Sequence, residues 1–554
     1  MILRLLLCAA AAAATGAESP ALIPRPARVT PGDGAAMPLT AATALHAAGA
    51  GAAVATWLHD ELARTGADIA APDVGAGQDG ITLRLDPGLA AAGPDWAQEE
   101  AYRLTIGGGR AVLTARSAEG LFRGATTLVQ LATRDGAAWR LPALAIDDQP
   151  RFRWRGLMLD CGRHFFTVAE VERFIDLLAL HKLNRFHWHL TEDQGWRIEV
   201  KSAPRLTSVG AWRASSPLMG DAGKSDGQPY GGFYTQDDVR HVVAHAAARF
   251  VTVVPELEMP GHGCAAIAAY PELGNRDVPG WQDPQVGTHW GVFHHTLAPR
   301  EETFAFIAKV FDEVLPLFPG AYVHIGGDEA PKDEWQRSPF AQAVIAEHDL
   351  KDAHGLQAWF IKRVEALLTA RGKRLVGWDE MQEGGLSPTA TMMVWRDWKW
   401  AKLALAAGNA VVMAPTSHTY FDYVQSGTPR EPAFQCISGW KEHGLDTARV
   451  LAFEPVPDGT PANQAAQVLG AQGQVWTEYI WSAGKVEYMT WPRACALAEV
   501  CWSPAEGRDW AEFQARLAQH AALLDREQVN YRKDDGSPAR SVEAIAATPH
   551  APLP

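Results

Sequence analysis

From residue 155 onward the chain alternates short apolar runs with amphipathic stretches, and this alternation limits the possible folds more than any other feature. Eight apolar runs have the length and composition of β-strands, and they cover residues 156–160, 185–190, 251–258, 322–328, 374–379, 391–396, 410–415 and 473–478. Helix-like stretches separate most of these runs, for example residues 168–181, 301–317 and 357–371. Eight β–α alternations over roughly 350 residues predict an α/β fold, the (β/α)8 TIM barrel, and not an open sheet.

Residues 18–149 differ from the rest in composition and pattern, and they predict a small α+β domain before the barrel. This part is rich in Ala and Gly and contains both strand-like and helical patterns. These patterns lie at residues 80–85, 101–106 and 117–132. Turn-forming residues at 147–150 mark the junction. We assign residues 150–530 to the barrel and residues 531–554 to a polar, Pro-containing tail that we expect to be loosely ordered.

Residues 1–17 predict a secretory signal. The basic Arg4 precedes an apolar run that is too short to span a bilayer, and residues 15–17 offer a small-residue cleavage site. A lipoprotein anchor at Cys8 is an alternative, which the bulky Leu7 disfavours. No later run is long and apolar enough for a membrane helix, so we expect an exported protein, periplasmic or extracellular, without an integral membrane segment after signal removal.

The charge and the cysteines exclude several classes of protein. A net charge of −14 argues against nucleic acid as a partner, because nucleic-acid binding depends on a basic surface. Removal of the signal would leave a set of widely spread cysteines without a CxxC pattern. They are Cys161, Cys264, Cys436, Cys495 and Cys501. This set predicts neither a disulfide framework nor a zinc ribbon, although a single disulfide stays open.

The segment 324–329, His-Ile-Gly-Gly-Asp-Glu, places two adjacent carboxylates at the end of the fourth apolar run. Successive side chains of a strand face opposite ways, so Asp328 and Glu329 can share a pocket only if the strand ends or kinks. Gly326 and Gly327 permit such a kink. Ordinary retaining glycosidases hold their two carboxylates about 5 Å apart across the sugar. An adjacent pair suits an acid that protonates a leaving group beside one that steers a group of the substrate. The alternative is a helix N-cap with a surface charge.

Histidines at the predicted strand ends allow a second interpretation. They are His187, His189, His262 and His324. His187 and His189 alternate along one strand, so both imidazoles face the same way, and such a pair can bind a metal ion. Because the neighbouring motifs are rich in carboxylates, we expect these histidines to bond to barrel carboxylates. A metal-dependent hydrolase is the alternative.

Tryptophans stand at the ends of three predicted strands: Trp378, Trp395 and Trp476. Sugar rings present apolar C–H faces that stack on indoles, while their hydroxyls need polar partners. The three indoles therefore indicate the aromatic walls of a sugar pocket, and the alternative is that they only cap the barrel. The predicted polar partners are Arg163, Asp422 and Glu478.

Together these motifs resemble glycoside hydrolase family 20, the β-N-acetylhexosaminidases. The segment 324–329 is similar to the family signature. Further similar blocks occur in the family's order at residues 156–166, 187–196, 255–262, 378, 395, 420–422 and 476–478. The resemblance covers residues 150–503 and extends to the helix at 120–131. It implies an exo-acting retaining hydrolase, without a cofactor, that removes terminal β-linked GlcNAc or GalNAc from chitooligosaccharides or glycans.

The resemblance also implies a substrate-assisted mechanism, in which the 2-acetamido oxygen attacks the anomeric carbon. Glu329 would be the general acid and then the general base, with its pKa raised by Asp328 in a partly desolvated pocket. Asp328 would accept the acetamido N–H, and Tyr420 would donate to the acetamido oxygen.

The remaining roles follow from the same resemblance. The three tryptophans would enclose the N-acetyl group. The ring hydroxyls would be bound by Arg163, Asp422 and Glu478. Supporting residues would be His262, Glu258, Glu192 and His189, of which His262 and Glu258 would form a relay that positions Asp328. Glu258 and Glu192 stand where Asp is common in the family, so the geometry around each must differ by a methylene group.

Three hypotheses therefore compete: the exported exo-hydrolase, the metal-dependent hydrolase, and a sugar-binding barrel without activity. The third predicts a broken acid pair, and both acids are present. The sequence leaves open the choice between GlcNAc and GalNAc, the aglycone and the oligomeric state.

Overall fold

The computed structural model describes residues 20–73, 77, 79–218, 221–426 and 444–541. Within them, eight parallel strands close into a barrel, which confirms the predicted fold class. In chain order these strands are β1 Trp154–Asp160, β2 Arg185–His189, β3 Thr252–Glu256, β4 Tyr322–His324, β5 Arg374–Trp378, β6 Thr391–Val394, β7 Ala410–Met413 and β8 Val468–Val475. The ring closes where β8 pairs with β1, with Gly473 opposite Leu157.

Predicted and observed strands agree at most boundaries and differ clearly at two. β4 ends at His324, well before residue 328, because Gly326 and Gly327 have φ angles of 66° and 86° that a strand does not adopt. β8 begins at Val468, well before residue 473. The apolar pattern misses this start because Gly470 interrupts it.

Helices connect successive barrel strands, as the alternation predicts. Thr167 begins the first of them with a capping box, in which its side chain accepts from Glu170 N and the Glu170 side chain accepts from Thr167 N. The α-helices of the barrel region are Val168–Leu180, Arg205–Ser208, Gln236–Ala247, Cys264–Ala269, Glu301–Val314, Asp333–Arg337, Pro339–Glu347, Ala353–Thr369, Trp398–Ala407, Thr416–Thr419, Thr447–Leu451, Ala462–Ala465, Ala483–Thr490, Arg493–Trp502 and Trp510–Arg526. Short 3-10 helices lie at Pro271–Leu273, Leu315–Leu317 and Asp379–Gly384.

The connection from β2 to β3 also carries three short antiparallel strand pairs. They are Thr191–Glu192 with Gly195–Trp196, Trp212–Arg213 with Tyr230–Gly231, and Pro217–Leu218 with Asp221–Ser225. The first pair follows β2 directly and shapes the chain around Glu192.

The N-terminal domain is a mixed seven-stranded sheet with helices packed on it, in agreement with the predicted α+β class. In spatial order its strands are Arg28–Pro31, Leu144–Asp148, Tyr102–Gly107, Arg110–Ala115, Gly80–Leu85, Leu45–Ala47 and Pro72–Asp73. A smaller sheet contains Met37–Leu39, Ala138–Leu141 and Thr133–Asp135, and the helices are Gly51–Arg64, Asp95–Glu100 and Ala118–Leu131. Nearly every residue of Ala118–Leu131 is buried. From this helix, Gln130 Nε2 donates to Leu180 O of the barrel at a distance of 3.0 Å.

The domain junction is buried and heavily bonded. Asp148 Oδ2 accepts from Lys182 Nζ at 2.8 Å and from Tyr102 Oη at 2.7 Å, while its Oδ1 accepts from Trp502 Nε1 at 2.9 Å. One carboxylate thus ties Leu144–Asp148 of the N-terminal sheet to the turn after Val168–Leu180 and to the end of Arg493–Trp502.

Residues 531–541, expected to begin a loosely ordered tail, are held against the barrel. Tyr488 Oη donates to Gly536 O at 2.7 Å, and Arg532 N donates to Trp491 O at 3.1 Å. The later part of the predicted tail and the whole predicted signal lie outside the described residues.

Four cysteines are free thiols in the interior: Cys161, Cys264, Cys495 and Cys501. Cys436 lies outside the described residues. Of the helices in the described ranges, none combines the length and the apolarity needed to cross a membrane.

Candidate active site

The adjacent acids lie in the sharp turn that follows β4, as the sequence predicts. Gly326 and Gly327 have positive φ angles, and Glu329 itself has a φ of 42°, which is uncommon for a residue with a side chain. A Cβ on Gly326 would lie only 1.5 Å from Glu258 Oε2, so only glycine fits there. The turn therefore lets two consecutive side chains face the same cavity.

His262 joins the two acids. Its Nε2 lies 3.8 Å from Asp328 Oδ2 and 3.6 Å from Glu329 Oε2, and its own φ is 48°. Asp328 is 9% exposed, and its Oδ1 has no hydrogen-bond partner among the described residues. The Glu329 side chain is 42% exposed. We call Asp328, Glu329 and His262 the acid end of the site: one acid lies deep and the other lies at the mouth.

The far side of His262 is held by two further carboxylates. His262 Nδ1 lies 3.0 Å from Asp193 Oδ2 and 3.2 Å from Glu192 Oε1. Asp193 Oδ1 also accepts from Cys264 N at 2.9 Å, which fixes the carboxylate. The chain of contacts therefore runs from Asp193 through His262 to Glu329 and Asp328.

This chain corrects the expected relay of Glu258 and His262. Glu258 lies over Gly326 instead of bonding to the imidazole, and its Oε2 has no hydrogen-bond partner in the described part of the chain. Burial and the neighbouring Asp328 raise the pKa of Glu258 well above its usual value. Asp193 is the residue that sequence reasoning missed. Its only signal was its position beside Glu192 at the end of β2.

A second part of the site, the binding end, consists of Arg163, Asp422 and Glu478. Arg163 Nη1 donates to Asp160 Oδ2 at 3.1 Å, and its Nη2 donates to Glu192. Arg163 Nε lies 3.5 Å from Glu478 Oε1. The guanidinium is therefore fixed by acids on two sides while it borders the pocket.

Asp422 contributes a buried carboxylate to the binding end. It is 7% exposed, and neither carboxylate oxygen has a hydrogen-bond partner among the described residues. Burial and the charge of Glu478 raise the pKa of Asp422 well above its usual value. Buried polar atoms normally have partners, so both oxygens are available to donors of a ligand.

The three predicted tryptophans and Tyr420 form one continuous aromatic wall. Ring centroids are separated by 5.8 Å for Trp378 and Trp476, 6.3 Å for Trp476 and Tyr420, and 6.2 Å for Tyr420 and Trp395. Trp378 is 1% exposed, whereas Trp395 and Trp476 are half-buried. The wall therefore has a deep floor at Trp378 and two sides that reach the opening.

Comparison with known proteins identifies the family. Residues 152–505 match the family model "Glycosyl hydrolase family 20, catalytic domain", and residues 19–149 match "Glycosyl hydrolase family 20, domain 2". The chain belongs to glycoside hydrolase family 20. This confirms the resemblance seen in the sequence, and it makes the protein a glycoside hydrolase of the β-hexosaminidase class.

Individual relatives agree with this assignment. A β-hexosaminidase of Porphyromonas gingivalis is 41% identical over 466 residues, which are 82% of this chain and 58% of that protein. The chain thus spans little more than half of that relative. A β-N-acetylhexosaminidase of Cellulomonas fimi is 35% identical over 519 residues, 91% of this chain and 94% of that one.

A solved structure shows the same architecture. The family 20 exo-β-N-acetylglucosaminidase of Vibrio harveyi in complex with N-acetylglucosamine superposes with a TM-score of 0.80 at 34% sequence identity. The match covers 93% of this chain and 78% of that chain.

The protonation of the acid end corrects one expectation for this family 20 enzyme. From the sequence we expect Asp328 to raise the pKa of Glu329. Instead, the neighbouring imidazole of His262 lowers the pKa of Glu329 below its usual value. Burial, with the charge of Glu329 as a further cause, raises the pKa of Asp328 to about 7. The reason is position: Asp328 lies deep, whereas Glu329 lies near solvent beside His262. Burial alone would lower the pKa of His262, but Glu192 and Asp193 raise it well above the usual value.

Two more carboxylates lie behind the aromatic wall, and sequence reasoning missed both. Trp378 Nε1 donates to Glu256 Oε1 at 3.0 Å, and Trp395 Nε1 donates to Glu380 Oε2 at 2.9 Å. Burial and the charge of Asp328 raise the pKa of Glu380 to about 8. Each acid is close in sequence to a recognised motif, but nothing in the pattern shows that it contacts an indole.

The strand histidines bond to a barrel carboxylate, which confirms that expectation. His189 Nδ1 bonds to Glu256 Oε2, and His187 Nε2 lies 2.9 Å from the same oxygen. By spacing alone, His187, Glu256 and His324 could hold a metal ion, since their ligand atoms lie within 4.8 Å of one another. All three are 0% exposed, and a hydrolytic metal ion needs an open position for water or substrate. The geometry therefore favours a bonded core over a metal centre.

Proposed function

We propose that this chain is a retaining exo-β-N-acetylhexosaminidase that uses the substrate's own acetamido group as the nucleophile. Its substrates are terminal β-linked GlcNAc or GalNAc residues of chitooligosaccharides or glycans. The observation that supports this most is the contact of Asp328 and Glu329 with the same nitrogen, His262 Nε2. Two acids so close on one side of a cavity do not suit attack by one carboxylate from across the sugar.

The two acids have different exposures, and these suit different tasks. Asp328 is deep and offers a buried oxygen without a partner among the described residues, which suits an acceptor for the acetamido N–H. Glu329 lies at the mouth, where the leaving group departs and water enters. Tyr420, 7% exposed in the aromatic wall, donates to the acetamido oxygen and orients it.

Substrate binding has to rearrange the protons of the acid end. With a pKa of about 7, Asp328 is partly protonated in the free enzyme, whereas Glu329 is ionised beside His262. An amide N–H that donates to Asp328 stabilises its ionised form and lowers its pKa. Glu329 then takes up the proton that it delivers to the glycosidic oxygen, and it later removes a proton from the attacking water.

The binding end selects a terminal sugar. Arg163, Asp422 and Glu478 provide one fixed cation and two carboxyl groups for ring hydroxyls. Recognition by the relatives points the same way, because the Vibrio harveyi structure is described as a complex with N-acetylglucosamine.

A substrate series tests the proposal. Purified protein is assayed with aryl N-acetyl-β-glucosaminide, aryl N-acetyl-β-galactosaminide and the aryl β-glucoside that lacks the acetamido group. We expect turnover of the first two and a loss of at least about 10³-fold in kcat/KM for the third, because its nucleophile is missing. Equal turnover of the unacetylated glycoside would refute the mechanism.

The same assay with EDTA separates this proposal from the metal-dependent alternative. We expect an unchanged rate after dialysis against the chelator. Loss of activity, with recovery on addition of zinc, would support metal chemistry at the strand histidines instead.

We also propose export to the periplasm or the medium. The support is the sequence of residues 1–17, with a short apolar run and a small-residue cleavage site. Expression in a Gram-negative host, followed by fractionation and N-terminal sequencing, tests it. Recovery of uncleaved protein in the cytoplasm alone would contradict it.

A further inference from the structure

Glu256, the last residue of β3, carries a carboxylate that no step of the proposed chemistry uses. Its side chain is 0% exposed, and four nitrogen atoms converge on it. Trp378 Nε1 donates to Oε1 at 3.0 Å, and His324 Nδ1 lies 2.6 Å from the same oxygen. On the other oxygen, His187 Nε2 lies at 2.9 Å and His189 Nδ1 is closer still. One acid therefore lies against an indole and three imidazoles, and its contacts with Trp378 and His189 are hydrogen bonds.

The barrel register brings these groups together. Glu256 pairs with His189 of β2 and with His324 of β4, so the three side chains belong to one layer of the barrel interior. Trp378 ends β5, and its ring lies edge-on to the His324 ring at a centroid distance of 4.8 Å. The layer is thus in direct contact with the deepest part of the aromatic wall.

The bond between Trp378 and Glu256 can run in one direction only: the indole Nε1 carries a hydrogen and no lone pair, so Glu256 Oε1 accepts. Trp154 Nε1 can only donate, so the oxygen of Gln472 faces it at 3.0 Å and the amide nitrogen faces His187 Nδ1 at 2.8 Å. His187 Nδ1 therefore accepts, and its proton lies on Nε2, the nitrogen that is 2.9 Å from Glu256 Oε2. Burial alone would raise the pKa of Glu256, but His324 and His189 hold it well below its usual range. The bond from Trp378 is therefore charge-assisted.

We infer that Glu256 is a positioning residue that fixes the Trp378 indole as the floor of the pocket for the acetamido group. The inference rests on the proposed function. An indole has a single N–H, and a bond at that atom sets the orientation of the whole ring. Attack by the acetamido oxygen needs the amide to be held in a narrow range of positions, so a floor that can tilt would slow the reaction.

A double-mutant cycle tests whether Glu256 acts through the indole. The variants are Glu256→Gln, Trp378→Phe and the double variant, and the readouts are kcat and KM for aryl N-acetyl-β-glucosaminide. We expect Glu256→Gln to lower kcat by about 10- to 100-fold, with a smaller change in KM. Because Phe lacks the N–H, we expect Glu256→Gln to have little further effect in the Trp378→Phe background. Effects that multiply in the double variant would show that Glu256 acts independently of the indole and would overturn the inference.

A matched control addresses the loss of a buried acid in general. Glu365 is also buried. It lies on the helix Ala353–Thr369, away from the barrel interior, and its carboxylate accepts from Thr389 Oγ1. We expect Glu365→Gln to leave kcat and KM unchanged. If Glu256→Gln does not fold, as judged by thermal unfolding, Glu256→Asp replaces it in the cycle, because Asp keeps the charge but shortens the reach to Trp378.

A spectroscopic measurement tests the bond without any substrate. In protein labelled with ¹⁵N at the indole nitrogens, the Trp378 resonance is the one that disappears in Trp378→Phe. We expect its N–H to exchange slowly with solvent in the wild type and faster in the Glu256 variant. Unchanged exchange would contradict the inference. If instead the wild type fails to cleave N-acetyl substrates, the proposed function is wrong, and the exchange rate still reports on the bond.

Discussion

The acid end and the binding end of the site hold their carboxylates by different means. At the acid end the shared cationic partner is His262, an imidazole that can lose its proton. At the binding end the partner is Arg163, whose guanidinium stays charged at every physiological pH. The first arrangement lets protons move between groups, and the second gives a fixed charge for recognition.

Glu329 and Asp422 also differ in exposure. The Glu329 side chain is 42% exposed, so it can exchange protons with a leaving group and with water. Asp422 is 7% exposed and keeps two oxygens without partners in the described structure, which suits a ligand that displaces water completely. Carboxylates thus serve chemistry or recognition according to their cationic partner.

The acid end should fail in kcat. Glu329→Gln keeps the shape of the side chain but removes the transferable proton, so we expect kcat to fall by about 10²- to 10⁴-fold with KM little changed. Steady-state kinetics with an aryl N-acetyl-β-glucosaminide measures this. Glu347→Gln, on an exposed helix position after β4, is the control and should behave as wild type. A wild-type rate for Glu329→Gln would show that the acid end does not carry out the proton transfer.

The binding end should fail in KM. Asp422→Ala removes both buried acceptors, and we expect KM to rise by about 10- to 100-fold with a smaller change in kcat. Asp458→Ala, exposed in the same connection between β7 and β8, is the matched control. A loss confined to kcat would place Asp422 with the acids instead.

His262 should control the pH dependence of kcat/KM. His262 lowers the pKa of both Asp328 and Glu329, so its loss raises both. We therefore expect His262→Asn to move the whole bell-shaped profile of kcat/KM to higher pH, besides lowering its maximum. His294→Asn, with a side chain that is 81% exposed, is the control. An unshifted profile would show that His262 does not set the protonation of the acids.

The smallest effect concerns stability. The pKa of Asp328 is raised from 3.8 to about 7 on folding, so the native state binds a proton more tightly than the unfolded state does between these values. Stability is therefore lost as the pH rises through this window. Asp328→Asn mimics the protonated form. We expect it to unfold at a higher temperature than wild type at pH 8 and at the same temperature at pH 4, by calorimetry. Equal stabilities at both pH values would contradict the raised pKa.

The sequence predicted the barrel because each strand is a compact apolar run between helices. It also predicted the acid turn, because Gly326 and Gly327 stand next to Asp328 and Glu329. These features depend on local pattern, which a single sequence contains. The indoles at the strand ends follow from the same pattern, since β5 ends at Trp378.

The contacts between distant strands could not be predicted in this way. Whether Glu192, Asp193 or Glu258 holds His262 depends on the turn after β2 and on the left-handed backbone of His262 itself. The order of the two acid pKa values depends on depth and on that contact, so it was expected the wrong way round. Glu256 was missed because its partners come from three other strands.

The left-handed backbone of Glu329 and His262 has a consequence for engineering. Such a conformation costs roughly 1–2 kcal/mol at each residue that is not glycine. Glycine at either position would relieve that cost, so a screen for heat resistance alone would tend to select it and would return inert proteins. Hardier variants of this enzyme are better sought in the loops of the N-terminal domain, where rigidity and turnover do not compete.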